Sequence, residues 1–525
     1  MRMRWAGPVI GVVAGAVAIG VAQLFAGLLN PRAFPVIAVG DTVIDLTPAQ
    51  IKDWAIATFG VYDKVVLLGG IAVLLTGFAA LIGAAARRKA GYGLAGVGLF
   101  AAVGIAAVLA RPDTALFDVL PTVFGGIAGA VALLVLLRRA DPRHAPARPG
   151  PEEILSGAEP APAPEAESMI VPDRRRLLTG LAVGVGVAGV AGALGRAISG
   201  RMEVGEARTA LTLPKPTVPL APLPAGVDFK VPGLSPFVTP NKDFYRIDTA
   251  LFVPQVSPSD WRLRIHGLVD RPVELTLDDL MRRKLVEADV TLCCVSNEVG
   301  GPLIGNARWL GVPMADVLRD VGIQAGADML LSRSADGWTC GPPVDVVMDG
   351  RNALFAIGMN GEALPVDHGF PVRQVVPGLY GYVSATKWVV DIKVTRFADD
   401  QGYWTPRGWS AKGPVKTQSR IDVPKLGEKV KAGKVTVAGV AWAQHRGIEA
   451  VEVRIDQGSW HQARLAEVPG LDTWRQWSYD WDATRGRHRI EVRATDKEGH
   501  TQPEERTPVA PDGATGWHGV IVEVV

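Results

Sequence analysis

The sequence predicts three architectures in one chain: an N-terminal bundle of membrane-spanning α-helices, an α+β domain and a C-terminal all-β sandwich. Three observations predict this. Hydrophobic residues are 48% of the 525, yet their excess is confined to the front of the chain. The remainder reads as a charged, Trp-bearing soluble protein. Near Pro424 the texture changes again, from short mixed runs to strict apolar/polar alternation.

Trp5–Leu29, Val65–Ala86, Gly91–Ala110 and Val119–Leu137 are uncharged, and each matches the ~20 residues that cross a hydrocarbon core. One such stretch also describes a buried core helix, but four in succession, each bounded by charge, predict membrane spans. A fifth, Leu177–Leu194, is weaker and rich in Gly, Ala and Val. Arg2 and Arg4, Arg87-Arg88-Lys89, Arg138-Arg139 and Arg174-Arg175-Arg176 all fall on one side by alternation, which places the N-terminus in the cytoplasm. Asp41, Asp45, Asp53, Asp113 and Asp118 fall on the other side. An odd number of spans then puts everything after residue 200 outside, so the expected location is a multi-pass protein of the cytoplasmic membrane with an extracytoplasmic soluble part.

Asp173-Arg-Arg-Arg-Leu-Leu178 ahead of the fifth span resembles an internal twin-arginine export signal, a route for folded proteins; the alternative is a plain positive flank. No small-residue cleavage site follows, so the span is expected to stay as an anchor. The expected organisation is four spans in 1–140, a cytoplasmic Pro/Ala/Glu linker in 141–172, the fifth span in 173–200, a stiff Pro-rich spacer in 201–227, and two domains in 228–423 and 424–525.

In the first of these domains Trp261–Leu268 reads as a strand, Thr276–Arg283 as a helix behind a Thr cap, and Pro313–Val321 as a second short helix. In the second, Val451, Val453 and Ile455 alternate with Glu452, Arg454 and Asp456, and Ile490, Val492 and Ala494 with Glu491, Arg493 and Thr495. Such runs, with Gly-rich turns between them, predict an immunoglobulin-like sandwich. Trp442, Trp460, Trp474, Trp477 and Trp481 read as core and turn packing, some of them against the preceding domain.

The chain has three cysteines, Cys293, Cys294 and Cys340, too few for a disulfide framework. The adjacent pair allows a strained vicinal disulfide, a zinc site lacking nearby His, or a thiolate for a soft metal. Strand neighbours point to opposite faces, so one of the pair is expected in the core and the other at a cavity. Farther along, His368-Gly-Phe-Pro-Val-Arg373 through Lys387-Trp388 is basic and punctuated by glycine, which suits a phosphorylated ligand.

In combination Asn241-Lys-Asp-Phe-Tyr-Arg-Ile-Asp248, Thr291-Leu-Cys-Cys294-Val-Ser-Asn297, Asn306-Ala-Arg-Trp309, Asn360-Gly-Glu-Ala-Leu-Pro and the His368–Trp388 stretch resemble the sulfite oxidase-like molybdopterin oxidoreductases, membrane-anchored bacterial type. The resemblance covers nearly all of 230–525. It implies a molybdenum-molybdopterin cofactor with Cys294 as the metal ligand, Arg246 lining the reaction pocket, and cofactor contacts at Asn241, Phe244, Tyr245, Arg246, Asn297, His368, Arg373, Ser384 and Lys387. It also makes the C-terminal sandwich a dimerisation-type domain and a homodimer the expected assembly. Two departures stand out: Glu298 and Val299 replace the arginine that sulfite-oxidising members carry after the ligand segment, and Asp248 stands where they have His.

The expected function is two-electron oxygen-atom transfer on a small sulfur or nitrogen oxo compound. The alternative is a catalytically silent, membrane-tethered scaffold on the same fold. No His falls in a predicted span and no Cys-x-x-Cys-His occurs, so no haem is expected and electrons need a separate carrier or a quinone. The lipid bilayer is the other expected partner; no nucleic acid is expected.

Overall fold

The computed structural model describes residues 5–48, 51, 58–59, 63–111, 114–140, 174–201, 204–217, 219–250 and 252–525. The linker expected at 141–172, together with Arg2, Arg4, Asp53, Asp113 and Asp173, lies outside these residues. Contacts divide the chain into Met1–Glu203 and Val204–Val525.

In the first unit, Ala6–Leu29, Val66–Ala86, Ala90–Leu109, Leu116–Ala140 and Arg175–Ile198 are long and apolar enough to cross a membrane, and they coincide with the five predicted stretches. Ala6–Leu29 meets its neighbour backbone to backbone, because Gly11 and Gly83 face each other and a Cβ on Gly11 would overlap the Ala79 carbonyl. A further helix, Pro35–Leu46, lies between the first two spans and carries Asp41. Its proline sits in the first turn, where the missing N–H leaves no bond unmade. Arg111 pairs with Asp41, and Asn30 Nδ2 donates to Asp118 Oδ1 at 3.1 Å, so the polar groups in this region satisfy one another.

The second unit begins with two five-stranded sheets. One runs Val273–Thr276, Arg262–Gly267, Val389–Thr395, Met329–Ser334, Thr339–Cys340, with Arg262–Gly267 parallel to Val389–Thr395. The other runs Val286–Cys293, Ile304–Pro313, Leu354–Met359, Glu362–Ala363, and Arg373–Val375 also pairs with Leu354–Met359. Short helices Leu277–Met281 and Met314–Val321 accompany the strands. Thr276 caps the first, its hydroxyl accepting from Asp279 N at 3.1 Å while the Asp279 carboxylate returns to Thr276 N at 2.9 Å. This is the expected α+β arrangement.

The C-terminal region is a β-sandwich of four and five strands. Val451, Val453, Ile490 and Val492 point inward onto Trp477 and Trp481, as the alternation requires. Strand Gln418–Val423, ahead of Pro424, pairs with Gly433–Trp442 and so already belongs to the sandwich. Trp442 and Trp474 pack instead into the large core of the preceding domain, with Phe237 and Trp261.

The Pro-rich stretch expected to act as a spacer is fastened down over its first part. Val204 is buried among Phe244, Trp309 and Phe370. Arg208 Nε donates to Leu364 O at 2.8 Å, its Nη2 pairs with Glu362 at 2.9 Å, and Thr217 N donates to Leu285 O at 2.9 Å. After the short helix Gly205–Ala210, the prolines from Pro214 onward prevent a further helix or ladder, so the bonds of that part go to the domain. Replacing Arg208 by Ala is expected to cost about 2 kcal/mol, the worth of hydrogen bonds from a charged donor. It should also speed amide hydrogen exchange across 204–217, and exchange as slow as in the parent protein would refute the strap.

Candidate active site

Cys294 follows the last residue of strand Val286–Cys293, whose partner Ile304–Pro313 begins opposite Cys293. The ten residues 294–303 between them close in two tight turns: Asn297 N to Cys294 O at 3.1 Å and Gly301 N to Glu298 O at 2.8 Å. Asn297 Oδ1 accepts from Leu303 N at 2.8 Å, while its buried Nδ2 has no oxygen acceptor and only the Cys293 sulfur beside it. Cys293 belongs to the apolar core and Cys294 does not. All three cysteines are free thiols. Burial pushes the Cys294 thiol up, against the backbone and hydroxyl of Ser296; a bound cation would reverse that and keep the thiolate.

Three further segments close around this loop. Phe244 is the wedge between them: its ring meets Tyr245 at 5.3 Å, Trp309 at 5.8 Å and His368 at 5.5 Å. Gly305 leaves the slot, since a Cβ there would lie 2.8 Å from that ring. Tyr245 is held well above the usual phenol range by burial and then by Cys294 and Cys293, with Arg373 pulling the other way, which locates the hydroxyl among these groups. Asn241 Nδ2 donates to Glu362 at 2.5 Å, and its backbone carbonyl faces His368 Nε2 at 3.2 Å. That nitrogen therefore carries the proton.

The cations are unevenly compensated. Lys387 Nζ lies 2.7 Å from Asp248 Oδ2, and Arg246 Nε lies 2.8 Å from the same oxygen. Burial, opposed by Asp248, brings Lys387 down to about 8. Arg373 is 5% exposed, rests 5.0 Å from the Trp309 ring and donates only to the backbone carbonyls of His368, at 3.1 Å, and Gln374, at 3.4 Å. Among the described residues no carboxylate pairs with it, and burial pulls it down to about 10. Gly369, at φ +111°, allows the chain to fold back here, since a Cβ would come 2.9 Å from that of Arg373.

A buried guanidinium answered only by backbone carbonyls, a lysine that shares its carboxylate with Arg246 and a buried amide N–H with no oxygen acceptor leave donor capacity to spare, which fits an anionic, multidentate group such as a phosphorylated pterin. Among the sequence-predicted residues the structure gathers Asn241, Phe244, Tyr245, Arg246, His368, Arg373 and Lys387 around the Cys294 loop with Asn297. Ser384 is different: it is fully buried, and its hydroxyl donates into its own turn, to Tyr380 O at 3.0 Å. Sequence reasoning missed Trp309 as the platform under Arg373, and Asp367, whose carboxylate lies 3.5 Å from Arg246. It noted Asp248 without its pairing to Lys387, because a partner 139 residues away leaves no local signal.

His368 and, in the sandwich, His518 are each pulled down to about 4 from 6.5, by burial first and neighbouring arginines second. A folded-state value below the unfolded one means that the unfolded chain takes up protons first. Their contribution is thus present above pH 6.5 and lost as pH falls toward 4, by up to about 3 kcal/mol each. The melting temperature of the cofactor-free protein should fall steeply over that window, and His518→Gln should flatten the fall; a level profile in the parent protein would contradict the burial of both rings.

Residues 250–404 match the oxidoreductase molybdopterin binding domain, and 411–524 match the Mo-co oxidoreductase dimerisation domain. The uncharacterized oxidoreductase YuiH of Bacillus subtilis is 33% identical over 153 residues, 29% of this chain and 74% of that protein. The chain belongs to the sulfite oxidase-like molybdopterin-dependent oxidoreductases. Human mitochondrial sulfite oxidase is 30% identical to this family member over 342 residues, 55% of this chain. The chain spans 62% of that protein's length. The crystal structure of the sulfane dehydrogenase SoxCD from Paracoccus pantotrophus is 24% identical with a TM-score of 0.48, covering 56% of this chain and 84% of that one. The two matched domains are those of molybdopterin-binding oxidoreductases.

Proposed function

We propose that this is a membrane-anchored enzyme whose second unit carries out two-electron oxygen-atom transfer on a small sulfur or nitrogen oxo compound outside the cytoplasmic membrane. The observation that carries the reading is Arg373, a buried cation that no carboxylate among the described residues compensates, next to Tyr245, on which Cys294 also acts. When bound, molybdenum in its pterin dithiolene supplies the two-electron chemistry. Cys294 would provide the soft thiolate, Arg373 and Lys387 would hold the phosphate, and Asn297 would offer its amide N–H. Arg246, paired with Asp248 and Asp367, would line the reaction pocket. His368, neutral at pH 7, orders the Asn241 backbone.

Five apolar helices support the anchor, and on Val66–Ala86 the side chains of Val73, Leu74, Phe78 and Leu81 are exposed, as a lipid-facing surface requires. The positive flanks at Arg87-Arg88-Lys89, Arg138-Arg139 and Arg174-Arg175-Arg176 support an N-terminus inside and the enzyme outside, the last flank doubling as a twin-arginine signal. The match to a dimerisation domain supports a homodimer, and a separate carrier or quinone supplies or takes the electrons.

The test is metal analysis of the purified full-length protein followed by turnover with artificial electron donors and acceptors across sulfite, sulfoxides and N-oxides. One molybdenum per chain with activity on one of these classes is expected. A molybdenum-free protein from cells that make the pterin would overturn the proposal.

A further inference from the structure

The loop that follows Cys294 is held from the C-terminal sandwich. Its weak point is the pair Gly300-Gly301, two residues with the widest backbone freedom, which close the second turn of the loop, from Glu298. Both are clamped. Arg420, on strand Gln418–Val423 and 9% exposed, donates Nη1 to Gly301 O at 2.8 Å and Nη2 to Ser235 Oγ at 2.9 Å. Its Nε pairs with Asp422 at 2.6 Å, and Asp422 also accepts from Ser235 N at 3.0 Å. His518 takes the other glycine: its Nδ1 accepts from Ile421 N at 2.9 Å, which turns the opposite edge of the ring onto Gly300, at φ +80°, where a Cβ would collide with it.

The strand entering the loop is fixed from the same side. Thr291 N donates to Asp472 O at 2.9 Å, Thr291 Oγ1 accepts from Trp474 N at 2.8 Å, and Thr291 O accepts from Gln444 Nε2 at 3.1 Å. The loop itself carries no basic residue, since Glu298 and Val299 occupy its middle.

We propose that Arg420 is a positioning residue of the molybdenum site: a guanidinium lent by the sandwich, which locks the Gly301 carbonyl and so sets the orientation in which Cys294 meets the metal. The inference rests on the reading of Cys294 as the metal ligand. A charge-assisted bond to a carbonyl is among the stronger single contacts available, and the Asp422 partner removes the cost of burying the charge. Outer-shell groups that orient a ligand characteristically change metal affinity or activity about 10- to 100-fold.

The experiment compares Arg420→Gln with the parent full-length enzyme, and with Arg493→Gln, which alters an ion pair elsewhere in the sandwich. Three readouts are taken: kcat, the thiolate-to-metal absorption of the loaded enzyme, and the rate of iodoacetamide alkylation at Cys294 in the cofactor-free protein, followed by mass spectrometry. Arg420→Gln is expected to lower kcat about 10-fold or more, to shift the absorption band and to speed alkylation severalfold, with Arg493→Gln like the parent. An unchanged band and an unchanged alkylation rate overturn the proposal. Should Arg420→Gln fail to fold, Asp422→Asn, which frees the guanidinium from its anchor, carries the same test with smaller shifts in the same directions, and parent-like values again overturn it. Molybdenum retained in Cys294→Ser would mark failure of the ligand reading instead.

Discussion

Cys294→Ser protein is expected to contain almost no molybdenum and to turn over at least ~10³-fold more slowly, about 4 kcal/mol of lost transition-state stabilisation. Serine keeps the shape but offers a hard, protonated oxygen where a soft thiolate is needed. Because Cys294 lies at the turn and outside the apolar core, the melting temperature of the cofactor-free variant should stay close to that of the parent. Cys293→Ser makes the contrast. That side chain is 2% exposed and faces the core, so its replacement should cost about 1–3 kcal/mol of stability while molybdenum and most activity remain. Full activity in a molybdenum-replete Cys294→Ser enzyme would end the assignment.

Arg373→Met is expected to move two measurements in opposite directions. The guanidinium is buried, has carbonyl acceptors only, and meets no carboxylate among the described residues. In the cofactor-free protein it is a desolvated charge, and a methionine of similar length should fill the space and raise stability, by about 1–4 kcal/mol on the experience of buried charges exchanged for apolar groups. The same change removes the donor that a pterin phosphate needs, so pterin retained after gel filtration should drop by about 10-fold or more, the worth of a charge-assisted bond. A destabilised cofactor-free variant would mean that Arg373 has a structural partner, and undiminished pterin would remove it from the binding site.

Much of this arrangement was legible in the sequence, for identifiable reasons. Membrane-length helices and alternating strands are written in local hydropathy, and both appear at their predicted positions. The choice of Cys294 over Cys293 came from the order of residues around the pair, and the burial of Cys293 in the core agrees with it. What was hidden depends on contacts between distant residues. Pro35–Leu46 is too short and too mixed to stand out, and Val204–Thr217, with its six-residue helix Gly205–Ala210, is fixed by the surface it lies on. Ser384 belongs to a convincing segment, yet the four-residue helix Gly381–Ser384 turns its hydroxyl inward. Arg420 and His518 reach the Cys294 loop across more than a hundred residues, and no spacing rule announces that.

Trp442 and Trp474, contributed by the sandwich, are buried in the core of the domain that binds the cofactor. Neither half can therefore be excised without exposing large indole surfaces. Calorimetry of residues 204–525 should accordingly give one endotherm with matching calorimetric and van 't Hoff enthalpies, a melting unit defined by shared aromatic rings instead of by the boundary between sequence families.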